Sequence, residues 1–205
     1  GNELMAQIQM RKKNIVKAMQ FAKRAVELDG TNVDAQNNYA KVLATYDGAR
    51  RAGDYLRELI ARFPSQLAYR VALGEILAQD EQYEGAKQVL QQVIAADENN
   101  KDASLALGDV YFMTDKLDAA LSQYFNAARV DPADPAPLFR AGELYIKANK
   151  PSDAQKQFQL VLRVNPLFPR AHYNLARAQY LLGIGDLAIK ELEEEKKLNP
   201  RLADP

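Results

Sequence analysis

A pattern of small and large residues recurs every 34 positions from Val33 onward, without an insertion or a deletion. In frames starting at Val33, Leu67, Lys101, Pro135 and Pro169, the twentieth position reads Ala52, Ala86, Ala120, Ala154 and Ala188. The eighth reads Ala40, Gly74, Gly108, Gly142 and Ala176. Small residues held in register let two backbones approach closely, while larger apolar side chains one turn away fill the space between them. Each frame carries two stretches of helical period, divided by a turn such as Asp47-Gly48, Asp115-Lys116, Asn149-Lys150 or Gly183-Ile184. A helix pair of this length cannot bury its own apolar faces, so it must stack on neighbours. The spacing therefore predicts an all-α array of roughly twelve helices, without strands.

In the frame beginning at Lys101, Asp115 and Asp118 suit the start of the second helix, where free N–H groups and the helix dipole favour carboxylates. Asp131-Pro132 stops that helix. Ahead of Val33 the same register puts Ala6 in the eighth column, Ala18 in the twentieth and Ala25 in the twenty-seventh, which predicts a sixth, N-terminal unit. Its turn falls near Lys13-Asn14, and two helices are favoured there over one helix running through residues 3–28. Gly1 stands ahead of what reads as a helix already under way, so the sequence is expected to come from a longer protein.

The residues Leu107, Gly108, Tyr111, Ala120, Tyr124 and Pro132 of the Lys101 frame resemble the tetratricopeptide repeat, and the resemblance extends over nearly the whole chain. It implies a right-handed superhelical α-solenoid of antiparallel helix pairs, about six units with the first truncated. These form a single domain over 1–205, with units at 1–32, 33–66, 67–100, 101–134, 135–168 and 169–202. The chain has no tryptophan, Glu98 replaces the proline that closes most units, and Gly53 lies inside a second helix. The last unit carries Glu195-Lys196 where earlier ones carry Leu59-Ile60, Val93-Ile94 or Val161-Leu162. Since a stack must end on a polar face, residues 186–198 are expected to form a C-terminal capping helix.

Composition narrows the chemistry. The 27 basic and 27 acidic residues cancel and the pI is near 6.8, so the basic footprint of a nucleic-acid-binding protein is absent. Without cysteine, disulfides, thiolate metal sites and thiol catalysis are excluded within these residues. No apolar run approaches the ~18 residues of a bilayer span, so direct membrane insertion is not expected. His172 is the single histidine and reads as an interhelical packing residue. Gly183-Ile184-Gly185-Asp186 falls on a turn column and lacks the Lys-Ser/Thr of a phosphate loop. Glu191 to Lys197 reads as a solvated helix face, with Glu193 and Lys197 four apart. No catalytic set assembles, so neither an enzyme nor a cofactor is expected.

One face exceeds what packing requires. At about 100° per residue, the second, fifth, ninth and twelfth columns of each first helix lie opposite its core side. The fifth column nevertheless reads Val71, Leu105, Phe139 and Tyr173, and the twelfth reads Phe112, Ile146 and Tyr180. The ninth adds Lys41, Glu75, Asp109, Glu143 and Arg177. The resemblance implies that this face is a concave, peptide-binding groove. The expected partner is another protein offering an apolar segment with basic residues, or another copy of the chain, with Asp109 and Glu143 selecting charge. The paired lysines and asparagines of a chaperone-tail clamp are not found in neighbouring units.

Overall fold

The computed structural model describes residues 1–199; the end of the last expected unit, 200–202, lies outside them. It contains twelve helices and no strand among the described residues. They are α1 (Asn2–Arg11), α2 (Ile15–Leu28), α3 (Val33–Asp47), α4 (Ala49–Arg62), α5 (Leu67–Gln79) and α6 (Tyr83–Ala96). They continue as α7 (Lys101–Met113), α8 (Leu117–Val130), α9 (Ala136–Lys147), α10 (Pro151–Val164), α11 (Ala171–Leu181) and α12 (Gly185–Leu198). The chain groups into two compact units, Gly1–Glu98 holding α1 to α6, and a second from Asn99 onward holding α7 to α12. None of the helices is long and apolar enough to cross a membrane.

The turn inside each pair explains why the register is so strict. Lys13, Glu81, Asp115 and Asn149 all take left-handed backbone conformations with φ of 54–61°, and Gly183 does so at 77°. Each is the residue just past the end of a first helix. In the pair α7–α8, the N–H of Lys116 bonds the carbonyl of Tyr111 at 2.9 Å, and the N–H of Asp115 bonds that of Phe112 at 3.3 Å. The same two bonds recur at Asn14/Lys13, Gln82/Glu81, Lys150/Asn149 and Ile184/Gly183. This double closure satisfies carbonyls that the helix end leaves free. Asp115, expected to open α8, instead closes α7; Asp118 alone sits in the first turn of α8. The turn after α3 shifts by one residue, with Gly48 taking the positive φ.

Within the first unit, Ala6, Ala18, Ala22 and Val42 form a small-residue core, covered by Met10, Met19, Phe21 and Tyr39. Leu56, Tyr69, Ile76 and Leu90 are also fully buried in that unit, and in the second unit large side chains again pack on small ones. Tyr124 and Leu144 pack with Ala120 and Ala141, and Phe158 and Val161 pack with Phe139, Ala154, Ala171, Leu175 and Ala178. Lys101, the first residue of α7, ties its ammonium to Asp131 at 3.1 Å and to Asp134 at 3.0 Å, fixing the loop after α8.

The end of the second unit departs from the expected polar face. Glu195 is buried, only 4% exposed, because it turns inward toward the start of α11. Arg170, which precedes that helix, is left-handed and supplies no side-chain cap. The Glu195 carboxylate takes the role instead, accepting the backbone N–H of Tyr173 at 3.3 Å and the Asn199 amide at 2.7 Å. A carboxylate in the first turn of a helix meets free N–H groups and the positive end of the dipole, which offsets its burial. Glu191, one turn earlier, contacts Nδ1 of His172 at 2.6 Å. Lys197 pairs with Glu194 at 2.5 Å rather than with Glu193. Leu192 is 46% exposed, whereas the equivalent Leu56, Leu90, Tyr124 and Phe158 are fully buried.

Candidate functional site

The expected groove residues divide between the two units. In the first, Lys41 on α3 pairs with Glu75 on α5 at 2.8 Å, so two residues expected to meet a partner's charges meet each other. Val71 is buried in the core of the unit.

In the second unit, the fifth and twelfth columns separate into core and surface. Phe139 is 9% exposed, with its ring centroid 5.6 Å from that of Phe158 and 5.0 Å from that of Phe168. It is a core residue, contrary to its expected place on the peptide-binding face. Ile146 is buried in the same cluster, and Leu105 packs partly buried near Tyr124 and Leu144. The surface is provided by α11, where Tyr173 is 45% and Tyr180 is 74% exposed. Arg177 is exposed between them. Spacings of four and seven residues put all three on one helix face.

The charged strip is more balanced than its ninth column suggests. Asp109 accepts the Tyr124 hydroxyl at 2.8 Å and faces Arg140 Nε at 3.4 Å. Arg140 also reaches Glu143 at 3.4 Å, so one guanidinium from α9 serves both carboxylates expected to select charge. Burial pushes the Asp109 carboxyl up, against the opposing pull of Arg140 and the Tyr124 hydroxyl. Burial likewise raises the Tyr124 phenol, and the adjacent Asp109 adds to the effect, so this hydroxyl remains a donor. Further along, Lys147 lies 4.6 Å from the centroid of the Phe112 ring and 2.5 Å from Asp115. Phe112 is thus covered by a cation rather than open.

Arg140 and Lys147 were not among the expected residues. They occupy the sixth and thirteenth columns of their unit, and each contacts the preceding helix pair rather than its own column. Only a comparison of facing positions between neighbouring repeats could have found them.

A tetratricopeptide repeat family profile matches residues 34–100, 79–137 and 139–203. No curated protein sequence matches the chain. Among solved structures, MamA is similar with a TM-score of 0.70 and 18% identity, over 80% of this chain and 96% of that one. A thermophilic TPR protein of Thermus thermophilus is similar with a TM-score of 0.73 and 19% identity, over 87% of this chain and 97% of that one. YrrB, described as a TPR protein with an unusual peptide-binding site, has a TM-score of 0.61 and 20% identity, over 87% and 92%. These likenesses concern the fold. With repeats matched across most of its length, helix pairs throughout and a fold shared with repeat proteins, this chain belongs to the tetratricopeptide repeat family, a family of protein-interaction scaffolds.

Proposed function

We propose that the chain is a non-enzymatic adaptor that holds an apolar segment of another protein against the first-helix face of its second unit. The observation that carries this reading is the exposure of Tyr173 and Tyr180 on one face of α11. Tyrosine supplies a large apolar surface with little side-chain entropy to lose, which is why it is enriched in interfaces. The expected preference for basic residues is weakened, because Arg140 already shares Asp109 and Glu143. An exposed ion pair with either acid contributes about 0 to 1 kcal/mol, whereas burial of each tyrosine contributes about 1.5 to 3 kcal/mol, by analogy with large apolar side chains. Affinity on this reading comes from the rings.

The test is quantitative binding of a captured partner's segment, measured by fluorescence anisotropy for the wild type and for Tyr173→Ala/Tyr180→Ala. Both side chains are exposed, so the fold should persist. The variant is expected to bind at least about tenfold more weakly, at every salt concentration. Equal affinity would refute the assignment of this face.

Self-association is the second reading, favoured by Ile189 and Leu192, which are exposed three residues apart on one face of α12. Exposed apolar rows of this kind mark contact surfaces. Sedimentation velocity over a hundredfold concentration range distinguishes the two. A rising sedimentation coefficient that Leu192→Glu abolishes supports self-association, and a constant one rejects it.

A further inference from the structure

The first unit holds a pocket of about 460 Å³ between α2 and α4, floored by α3. Its position is separate from the groove. Tyr39, Leu43 and Tyr46 project from the side of α3 opposite Lys41, which follows from a turn of about 100° per residue.

Three tyrosines converge here, Tyr39 and Tyr46 from α3 and Tyr55 from α4. Each breaks the repeat pattern. The positions equivalent to Tyr39 read Leu73, Leu107, Ala141 and Leu175; those equivalent to Tyr46 read Asp80, Thr114, Ala148 and Leu182. Those equivalent to Tyr55 read Val89, Gln123, Gln157 and Glu191. These four units make the fold with no aromatic residue at any of the three columns, so the repeat does not require the rings, although Tyr39 also covers the core of its own unit.

The rings are held in place. Tyr55 donates a close hydrogen bond to Gln36 Oε1, and Gln36 Nε2 donates to the carbonyl of Gly30 at 2.7 Å. The Tyr39 ring meets Tyr55 edge-on, with centroids 5.0 Å apart. Charge completes the site. Asp47 pairs with Arg51 at 2.8 Å, Asp54 with Arg57 at 2.8 Å, and Lys23 faces Glu27 at 3.9 Å. Among the described residues, no cation pairs with Glu58, which lines the same pocket. The Tyr55 phenol is pushed up to about 12, chiefly by burial, with Tyr39, Tyr69 and Glu58 adding to it. The phenol therefore stays neutral, and Glu58 places a negative charge near it.

We infer that this pocket binds an arginine side chain presented by a partner protein, with the guanidinium stacked on the tyrosine rings and paired with Glu58. A planar cation that stacks on aromatic faces and bonds a carboxylate matches the groups on offer, and the volume lies in the range of pre-formed ligand sites. The site shares no residue with the groove, so either reading can fail without the other.

The test titrates the protein with N-acetyl-arginine N-methylamide and, in parallel, with the neutral N-acetyl-norleucine N-methylamide, while following tyrosine ring resonances by NMR. The arginine derivative is expected to shift Tyr39, Tyr46 and Tyr55 saturably in the millimolar range, and the norleucine derivative to leave them unmoved. Glu58→Gln and Tyr46→Ala change exposed side chains and should retain the helical circular-dichroism spectrum. Each is expected to weaken arginine binding at least threefold. Equal shifts from norleucine, unchanged binding by Glu58→Gln, or shifts confined to other residues would overturn the inference.

Discussion

Phe139→Ala should destabilise the protein by about 3 to 5 kcal/mol, the range for truncating a buried aromatic residue. The ring packs against Phe158 and Phe168 in edge-on and tilted geometries, and its removal opens a cavity in the cluster that also holds Val161, Leu175 and Ala178. Aromatic pairs of this kind contribute about 0.5 to 1.5 kcal/mol beyond area burial, so the upper part of the range is expected. The measurement is urea denaturation monitored by far-ultraviolet circular dichroism. A loss under about 1 kcal/mol would mean that Phe139 is a surface residue after all. Any loss of partner binding by this variant would then follow from lost structure, which is why Tyr173 and Tyr180 are the better probes of the surface.

Phe139 also shows where sequence reading reaches its limit. The helix period turns it away from its own pair's core, yet its ring packs on Phe158 of the paired α10, and Phe168, in the loop between α10 and α11, folds over it. Periodicity describes the faces of a helix and carries no information on what a later loop covers. Ile146 is buried in the same cluster. By contrast, the columns set by backbone approach were legible in full: Ala52, Ala86, Ala120 and Ala154 are completely buried, as the spacing requires. The turn column was legible as a turn, though its left-handed conformation hid behind residues as different as Lys13, Glu81 and Asn149. The charged strip was half legible. Asp109 and Glu143 stand out along one column, but Arg140, which pairs with both, belongs to another column, on the helix of Glu143 and the neighbour of that of Asp109. Glu195 was misread for a related reason. Its charge suggested solvent, while the uncapped start of α11 offered it the backbone N–H of Tyr173.

The facing small and large residues make a sharper prediction, because the eighth and twenty-fourth columns are complementary in volume. A Cβ placed on Gly142 would lie 2.6 Å from the Phe158 ring, and one on Gly108 would lie 2.5 Å from the Tyr124 ring. Both rings are buried and have no room to withdraw. Gly142→Ala should gain about 1 kcal/mol of helix propensity, yet overpacking of this kind typically costs more. A net loss of about 1 to 3 kcal/mol is expected. Elsewhere in the chain alanine does occupy this column, and there the facing residue is smaller than an aromatic ring, as in Ala40 with Leu56, both fully buried. Opposite glycine, leucine packs just as close, since a Cβ on Gly74 would lie 2.6 Å from Leu90, but a leucine can make room by changing rotamer where a ring cannot. Phe158→Leu should therefore relieve part of the clash. The double variant Gly142→Ala/Phe158→Leu is expected to be more stable than the sum of the single losses by about 0.5 to 3 kcal/mol, the coupling typical of residues in direct contact. Strict additivity in denaturation midpoints and slopes would mean that the glycine is not there to admit the ring.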